Sequence, residues 1–154
     1  MRRTDQRRAA IFALYQHEVT GASLEALIER GPFPDGPGGE QEVSVPSGPL
    51  TDFARDLVRG VDEHIPELDA LISRASDDWA VERIAPLERS ILRVALYEVL
   101  HRPDVPDEVA IDEAVEATKT FCGTDAPGFV NGVLGGVVRG LGGEHVGPRG
   151  ERHD

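Results

Sequence analysis

Residues 86–101 read PLERSILRVALYEVLH, and this stretch decides the fold class. Its apolar residues recur at steps of three and four, the spacing that places side chains on one face of an α-helix. They form a wide surface: Leu87, Ile91, Leu92, Ala95, Leu96, Val99 and Leu100. Pro86 suits a first helical turn, because the N–H that proline lacks has no partner there. We therefore predict a helix over 86–101 that is central and more buried than the others.

The sequence on the C-terminal side predicts two further helices. The first opens at Pro106, carries acidic residues in its first turn, where the helix dipole favours them, and ends before Gly123. The second is capped by Thr124 or Asp125 and keeps a helical apolar spacing as far as Val138.

The N-terminal side is also helical in pattern. Residues 4–19 have apolar positions at three- and four-residue steps, and 23–30 form a shorter candidate with Ser23 as its N-cap. Residues 50–75 return to the same spacing, with a kink or a break at Pro66. No strand signal is of comparable strength. We predict an all-α fold, a compact single-domain bundle of about six or seven helices.

Two segments are unlike the rest of the chain. Residues 31–49 are rich in glycine and proline, which interrupt regular elements, so we expect a flexible loop inside the domain. The sequence from 140 onward, GLGGEHVGPRGERHD, is typical of a frayed end, and we predict a disordered tail over 144–154. The expected domain is therefore 1–143.

The charge is strongly uneven along the sequence. The 154 residues carry a formal net charge of -12, which argues against a broad nucleic-acid surface, because such binding relies on Lys and Arg neutralising phosphates. The first ten residues are the exception, with Arg2, Arg3, Arg7 and Arg8 against Asp5 alone. This basic head either solubilises a helix start or binds an anionic partner. Positive charge at a helix N-terminus opposes the macrodipole, which favours the second interpretation.

Several function classes lack the residues they need. The single cysteine, Cys122, excludes an internal disulfide and is predicted to be a core helix residue rather than a nucleophile. The five histidines are scattered along the chain, so we predict no metal site and no cofactor. Neither a phosphate-binding glycine loop nor a nucleophile elbow is present, and we expect the protein not to be an enzyme. Without a signal peptide or an apolar run of membrane length, we expect a cytoplasmic protein and no membrane partner.

Two patterns leave alternatives open. Residues 104–116 carry six acidic side chains and no Lys or Arg, which indicates either a solvated helix face or a surface for a basic protein partner. Gly128, Gly132 and Gly136 share one face of the last predicted helix. Since a glycine in a helix interior costs about 1 kcal/mol relative to alanine, a tight packing seam is the preferred interpretation and an exposed binding face the alternative.

Five blocks of the sequence resemble the NusB family in wording and in order. The more specific ones are RSILRVALYEVL (89–100), DVPDEVAIDEAVEATKTF (104–121) and FVNGVL (129–134). They are preceded by RRAAIFALYQ (7–16) and FARDLVRGV (53–61). Together the blocks cover most of the chain.

The resemblance implies a function in transcription antitermination. In this family NusB pairs with NusE, a small-subunit ribosomal protein, and the pair binds the single-stranded boxA element of nascent RNA, notably rRNA. The complex then joins the elongating RNA polymerase.

The resemblance also implies site residues. Family RNA contacts come from the arginine-rich head and the start of the FVNGVL helix, which here are Arg2, Arg3, Arg7, Arg8, Asp125 and Phe129. The family surface for NusE lies on the ALYQ and LYE helices, which points to Tyr15, Glu88 and Arg93. The chemistry is compatible, because guanidinium groups neutralise phosphates and aromatic rings stack on unpaired bases.

Departures from the family pattern define the rival function. Thr4 and Asp5 interrupt the basic head, Gly128 stands where a basic residue commonly precedes FVNG, and Gly135 replaces a common acidic residue. The alternative is therefore a protein-only helical adaptor, or a self-associating homodimer, with little intrinsic RNA affinity. A related domain occurs fused to RNA cytosine methyltransferases, but this sequence has no stretch for a cofactor-binding sheet, which disfavours that activity.

Overall fold

The computed structural model describes residues 2–33, 48–77 and 80–141. Over these ranges it contains α-helices and one 3-10 turn and has no strand, so the predicted all-α fold is confirmed. The predicted tail 144–154 lies outside the described residues, as does the predicted loop 31–49 except for its two ends. Among the described helices, none combines the length and the apolar content that a membrane span requires.

The described part of the chain has seven α-helices. Their bounds are α1 Arg3–Thr20, α2 Leu24–Arg30, α3 Asp52–Glu63, α4 Ile65–Ala75, α5 Pro86–His101, α6 Asp107–Phe121 and α7 Ala126–Leu141, with a 3-10 turn at Val81–Arg83. The chain divides into two compact units, Met1–Glu63 and His64–Asp154, which we describe one at a time. The prediction of a single domain over 1–143 stays a prediction.

In the first unit, α1 packs against both α2 and α3. Small and branched apolar residues from the three helices are buried here, including Ala10, Leu27 and Leu57. The predicted cap of α2 is confirmed, because the Ser23 Oγ accepts a hydrogen bond from the Ala26 N–H at 3.1 Å.

The two ends of the glycine-rich segment meet beside α2. Gly31 ends that helix with a positive φ of 82°, and its N–H donates to the Leu27 carbonyl at 2.7 Å. A side chain at Gly31 would overlap the carbonyl oxygen of Gly48, and the Leu50 N–H donates to the Ile28 carbonyl at 3.0 Å. Residues 31 and 48 therefore approach each other so closely that only glycine fits at 31.

In the second unit, α5 packs against α4, α6 and α7, while α6 also packs against α7. The observed bounds of α5 are the predicted ones, 86–101. Ten of its sixteen residues are buried, which confirms the prediction that this helix is prominent in the core. The break predicted within 50–75 is observed too: α3 ends at Glu63, α4 begins at Ile65, and Pro66 occupies the second helical position.

The glycine row of α7 differs from the preferred prediction. Only Gly136 contacts another helix, since a Cβ built there would lie 3.6 Å from the Ala75 Cβ of α4. A Cβ at Gly128 or Gly132 would meet no described atom within 4 Å. The packing seam was thus wrong at two of the three positions, which present an open face instead.

Gly132→Ala and Gly31→Ala should change stability in opposite directions. Alanine at 132 has open space and a better helix propensity, so we expect a gain of up to about 1 kcal/mol, or roughly 2–4 °C in Tm for a chain of this size. Alanine at 31 faces both a positive φ and the Gly48 carbonyl, so it should cost more than about 1 kcal/mol. Thermal denaturation followed by circular dichroism measures both, and a loss of stability in Gly132→Ala would contradict the open face.

Candidate nucleic-acid interface

The basic head forms the first turns of α1 and is organised around one aromatic ring. The Arg3 Cζ lies 4.2 Å from the centroid of the Phe53 ring, and the Arg7 Cζ lies 5.3 Å from the same centroid. Both distances are within the range of a cation–π contact. The four-residue spacing that puts Arg3 and Arg7 on one side of α1 therefore aims both guanidinium groups at α3.

These two arginines differ in their exposure to solvent. Arg3 is exposed, whereas Arg7 is only 5% exposed and Phe53 is 9% exposed. Arg3 can therefore meet a phosphate directly, with its guanidinium held over the ring. Arg7 is shielded from solvent and places a second guanidinium group at the same ring.

The other two arginines of the head have different surroundings. The exposed Arg2 reaches Asp5 one turn along, with Nη2 3.4 Å from the carboxylate Oδ1, and Arg8 is half-buried. An exposed ion pair of this kind contributes at most about 1 kcal/mol. Arg2 can consequently exchange Asp5 for a phosphate group at little cost.

The local electrostatics of the head favour an anion. The α1 N-cap is Arg2, whose side chain makes no capping hydrogen bond, so its first turn keeps N–H groups with partial positive charge. Arginines placed there raise the positive potential further, and Asp5 is the acidic residue in this turn. An arriving phosphate would meet both the dipole and the guanidinium groups.

The second predicted RNA element lies at the start of α7. Asp125 precedes this helix and is exposed, and its carbonyl accepts a hydrogen bond from the Phe129 N–H at 3.3 Å. The Phe129 ring is half-buried, and the two open glycines, Gly128 and Gly132, lie on the same helix. This turn thus offers a partly exposed ring with backbone surface beside it, which suits a stacked base.

Tyr15, predicted to face a protein partner, sits in an aromatic group on α1. Its ring meets Phe12 edge to face at 6.4 Å between centroids, and Phe12 lies 5.5 Å from Phe33. Tyr15 is half-buried. Tyr15 thus packs against Phe12 while part of its side chain reaches solvent, an arrangement that suits a binding anchor.

Glu88 and Arg93, the other predicted partner residues, lie on α5 and have different surroundings. The Arg93 Nε and Nη2 donate to the two carboxylate oxygens of Asp69, each at 2.8 Å. This two-point contact joins α5 to α4 and is largely shielded from solvent, so the Arg93 guanidinium already has a structural role. Glu88 is half-buried and near Cys122.

Cys122 is not the core helix residue that the sequence predicted. It is the residue after the end of α6, and it is half-buried. Burial raises the pKa of the Cys122 thiol to about 11, and the negative charge of Glu88 acts in the same direction. The thiol therefore stays protonated at neutral pH, which does not suit a nucleophile.

Alkylation should report this directly. The pKa rises from 9.0 to about 11, so at pH 8 the thiolate fraction should be about 100-fold below that of an unperturbed cysteine. Because deprotonation requires a higher pH, the rate of iodoacetamide labelling should keep rising between pH 9 and about pH 11. Mass spectrometry over this range measures it, with glutathione as the reference, and a plateau below pH 9 would contradict the raised pKa.

Two residues at these surfaces escaped prediction. Phe53 supplies the ring under the basic head, and Asp69 holds Arg93. Both partners lie on a different helix from the arginine they contact, so spacing within a helix does not reveal them. The only sequence signal for them was the presence of an aromatic residue, Phe53, and an acidic residue, Asp69, on otherwise regular helical patterns.

The described residues form an all-helical fold whose first helix begins with several arginines, which places the chain in the class of small all-α proteins. Residues 4–139 match the model of the NusB family. A relative named transcription antitermination protein NusB, from Rubrobacter xylanophilus, is 45% identical over 137 residues, covering 89% of this chain and 90% of its own. Another of the same name, from Symbiobacterium thermophilum, is 43% identical over 146 residues, covering 92% of each chain. This chain belongs to the NusB family.

Solved structures agree with this assignment. NusB from T. maritima superposes with a TM-score of 0.73 at 31% identity, covering 90% of this chain and 92% of that one. A NusB chain crystallised with NusE and double-stranded RNA gives a TM-score of 0.69 at 22% identity, covering 90% of this chain and 96% of that one. The second similarity shows the shared fold.

Proposed function

We propose that this protein is a transcription antitermination factor that acts without catalysis. With NusE, it binds boxA-type single-stranded RNA of nascent transcripts, notably rRNA, and joins the elongating RNA polymerase complex in the cytoplasm. Relatives named for antitermination, 45% and 43% identical over most of their length, support the role. The crystal of a NusB with NusE and double-stranded RNA supports NusE and RNA as the two classes of partner.

The observation that carries the RNA part of the proposal is the pair of arginines on the Phe53 ring. In a chain of net charge -12, a phosphate backbone needs a local cationic site, and α1 has one at its start. We assign phosphate contact to Arg3, with Arg2 and Arg8 as neighbours. Arg7 is assigned a supporting role beside Arg3. Asp125 and Phe129 are assigned to the RNA bases.

Arg3→Ala should flatten the salt dependence of RNA binding. Each phosphate contact on a single strand contributes about 0.7 to the slope of log K against log salt concentration. Removing Arg3 should therefore lower the slope by roughly 0.7 in the complex with NusE. Arg7→Ala should weaken binding as well, because Arg3 loses its neighbour on the ring. Fluorescence anisotropy of labelled boxA RNA at several salt concentrations measures both.

The matched control is Arg59→Ala. Arg59 is an exposed arginine of α3, paired with Glu25 at 2.9 Å, and its loss changes the net charge equally. Its slope should equal that of the wild type. Unchanged binding in both Arg3→Ala and Arg7→Ala would remove the head from the site. Failure of the wild type to bind RNA even with NusE would favour the protein-only adaptor.

For the protein partner we assign Tyr15 as an aromatic anchor and Glu88 as an acidic contact for a basic ribosomal protein. Arg93 contributes through its pair with Asp69, which fixes the α5 surface beside α4. Aromatic anchors in partly enclosed positions commonly dominate such interfaces. Acidic groups at the edge mainly speed association with a basic partner.

Tyr15→Ala should weaken NusE binding by about fivefold or more, since truncating an anchor typically costs more than about 1 kcal/mol. Glu88→Lys should mainly slow association and make it less sensitive to salt. Surface plasmon resonance measures both, with Glu29→Lys as the control, because Glu29 is an exposed glutamate of α2 outside the assigned surface. Wild-type kinetics in both variants, or a homodimer by light scattering that NusE does not dissociate, would contradict this assignment.

A further inference from the structure

Two histidines and a glutamate meet where α4 begins and α5 ends. His64 is the N-cap residue of α4, Glu67 lies in its first turn, and His101 is the last residue of α5. One ligand atom from each of the three lies within 4.8 Å of the others. The sequence predicted no metal site, because His64 and His101 are far apart along the chain. The packing of α4 against α5 brings them together.

The individual contacts within this cluster are close. The His101 Nε2 lies 3.0 Å from the Glu67 Oε1, and the two imidazole rings are 4.1 Å apart between centroids, tilted by 35°. The buried Tyr97 ring stacks against His101 at 5.3 Å between centroids. Tyr97 thus restricts the orientation of the His101 ring from the side of the protein, while the cluster is reached from solvent at Glu67.

We propose that His64, Glu67 and His101 bind a divalent transition metal ion of the zinc type. Imidazole nitrogen and carboxylate oxygen are ligands that zinc accepts, at bond lengths of about 2.0–2.2 Å. Ligand atoms around a tetrahedral ion of that kind lie roughly 3.3 Å apart. The distance of 3.0 Å between the Glu67 Oε1 and the His101 Nε2 is close to that value. A His64 ring nitrogen lies within 4.8 Å of those ligand atoms, so the His64 imidazole has to turn or shift toward them to complete the set.

The donor set also decides which ions are excluded. Two imidazoles favour zinc, copper or nickel over magnesium and calcium, which prefer oxygen ligands throughout. The ion takes the place of the proton shared by His101 and Glu67, and that proton goes to solvent. Three protein ligands leave one tetrahedral position for water. The ion would tie the start of α4 to the end of α5, independently of RNA and NusE binding.

The test is calorimetric titration of the untagged full chain with zinc chloride and, separately, magnesium chloride. We expect one equivalent of zinc to bind and no magnesium. His64→Gln and His101→Gln should each weaken zinc binding by at least about tenfold, because even the loss of groups behind a ligand costs that much. The matched control is His17→Gln, since His17 lies on α1 and bonds the Ala22 carbonyl at 2.7 Å. It should bind zinc as the wild type does.

A second measurement does not depend on the variants folding. Long-range proton–nitrogen NMR of the wild type should show zinc shifting the ring nitrogens of His64 and His101 and leaving those of His17 unchanged. A wild type that binds no zinc would overturn the proposal. So would zinc binding that is unchanged in His64→Gln and His101→Gln, or that is lost instead when His145 and His153 are both replaced by glutamine.

Discussion

The burial of α5 is the constraint on which the second unit depends. Ten of its sixteen residues are buried, and this helix packs against α4, α6 and α7. Seven of the ten are apolar or aromatic, and burying such side chains is the main favourable contribution to folding. It also limits which α5 side chains can act at the surface, and three of those that remain are Glu88, Arg93 and His101.

Two of these three α5 side chains contact the same neighbouring helix. Arg93 bonds Asp69 and His101 bonds Glu67, both on α4. The packing that buries the apolar face of α5 therefore also sets the geometry of its polar edge. Glu88 has another setting, near the Cys122 thiol, and is the α5 residue that we assign to direct contact with a protein partner.

The sequence predicted what depends on local chemistry. Pro86 and a regular apolar spacing gave the bounds of α5, and the Ser23 hydroxyl was correctly identified as the cap of α2. The sequence did not predict features that depend on contacts between helices. The ring of Phe53 under the arginines is such a contact. So is the meeting of His64 with His101.

The errors have a similar origin. The spacing correctly placed Gly128, Gly132 and Gly136 on one helix face. Whether that face is covered depends on a neighbouring helix, and of the three glycines only Gly136 is approached by Ala75. Cys122 was assigned to a helix core from its position in an apolar pattern, yet α6 ends one residue earlier. Of the candidate site, residue types and helices were predictable, while the surroundings of each side chain were not.

We propose that RNA binds at the basic head of α1 and at the first turn of α7. Photocrosslinking can locate the contacts, with boxA RNA carrying 4-thiouridine, the protein together with NusE, and mass spectrometry to identify the linked residues. We expect crosslinks to peptides that contain residues 2–8 and 125–129. Crosslinks confined to the acidic helix α6, or to NusE alone, would contradict it.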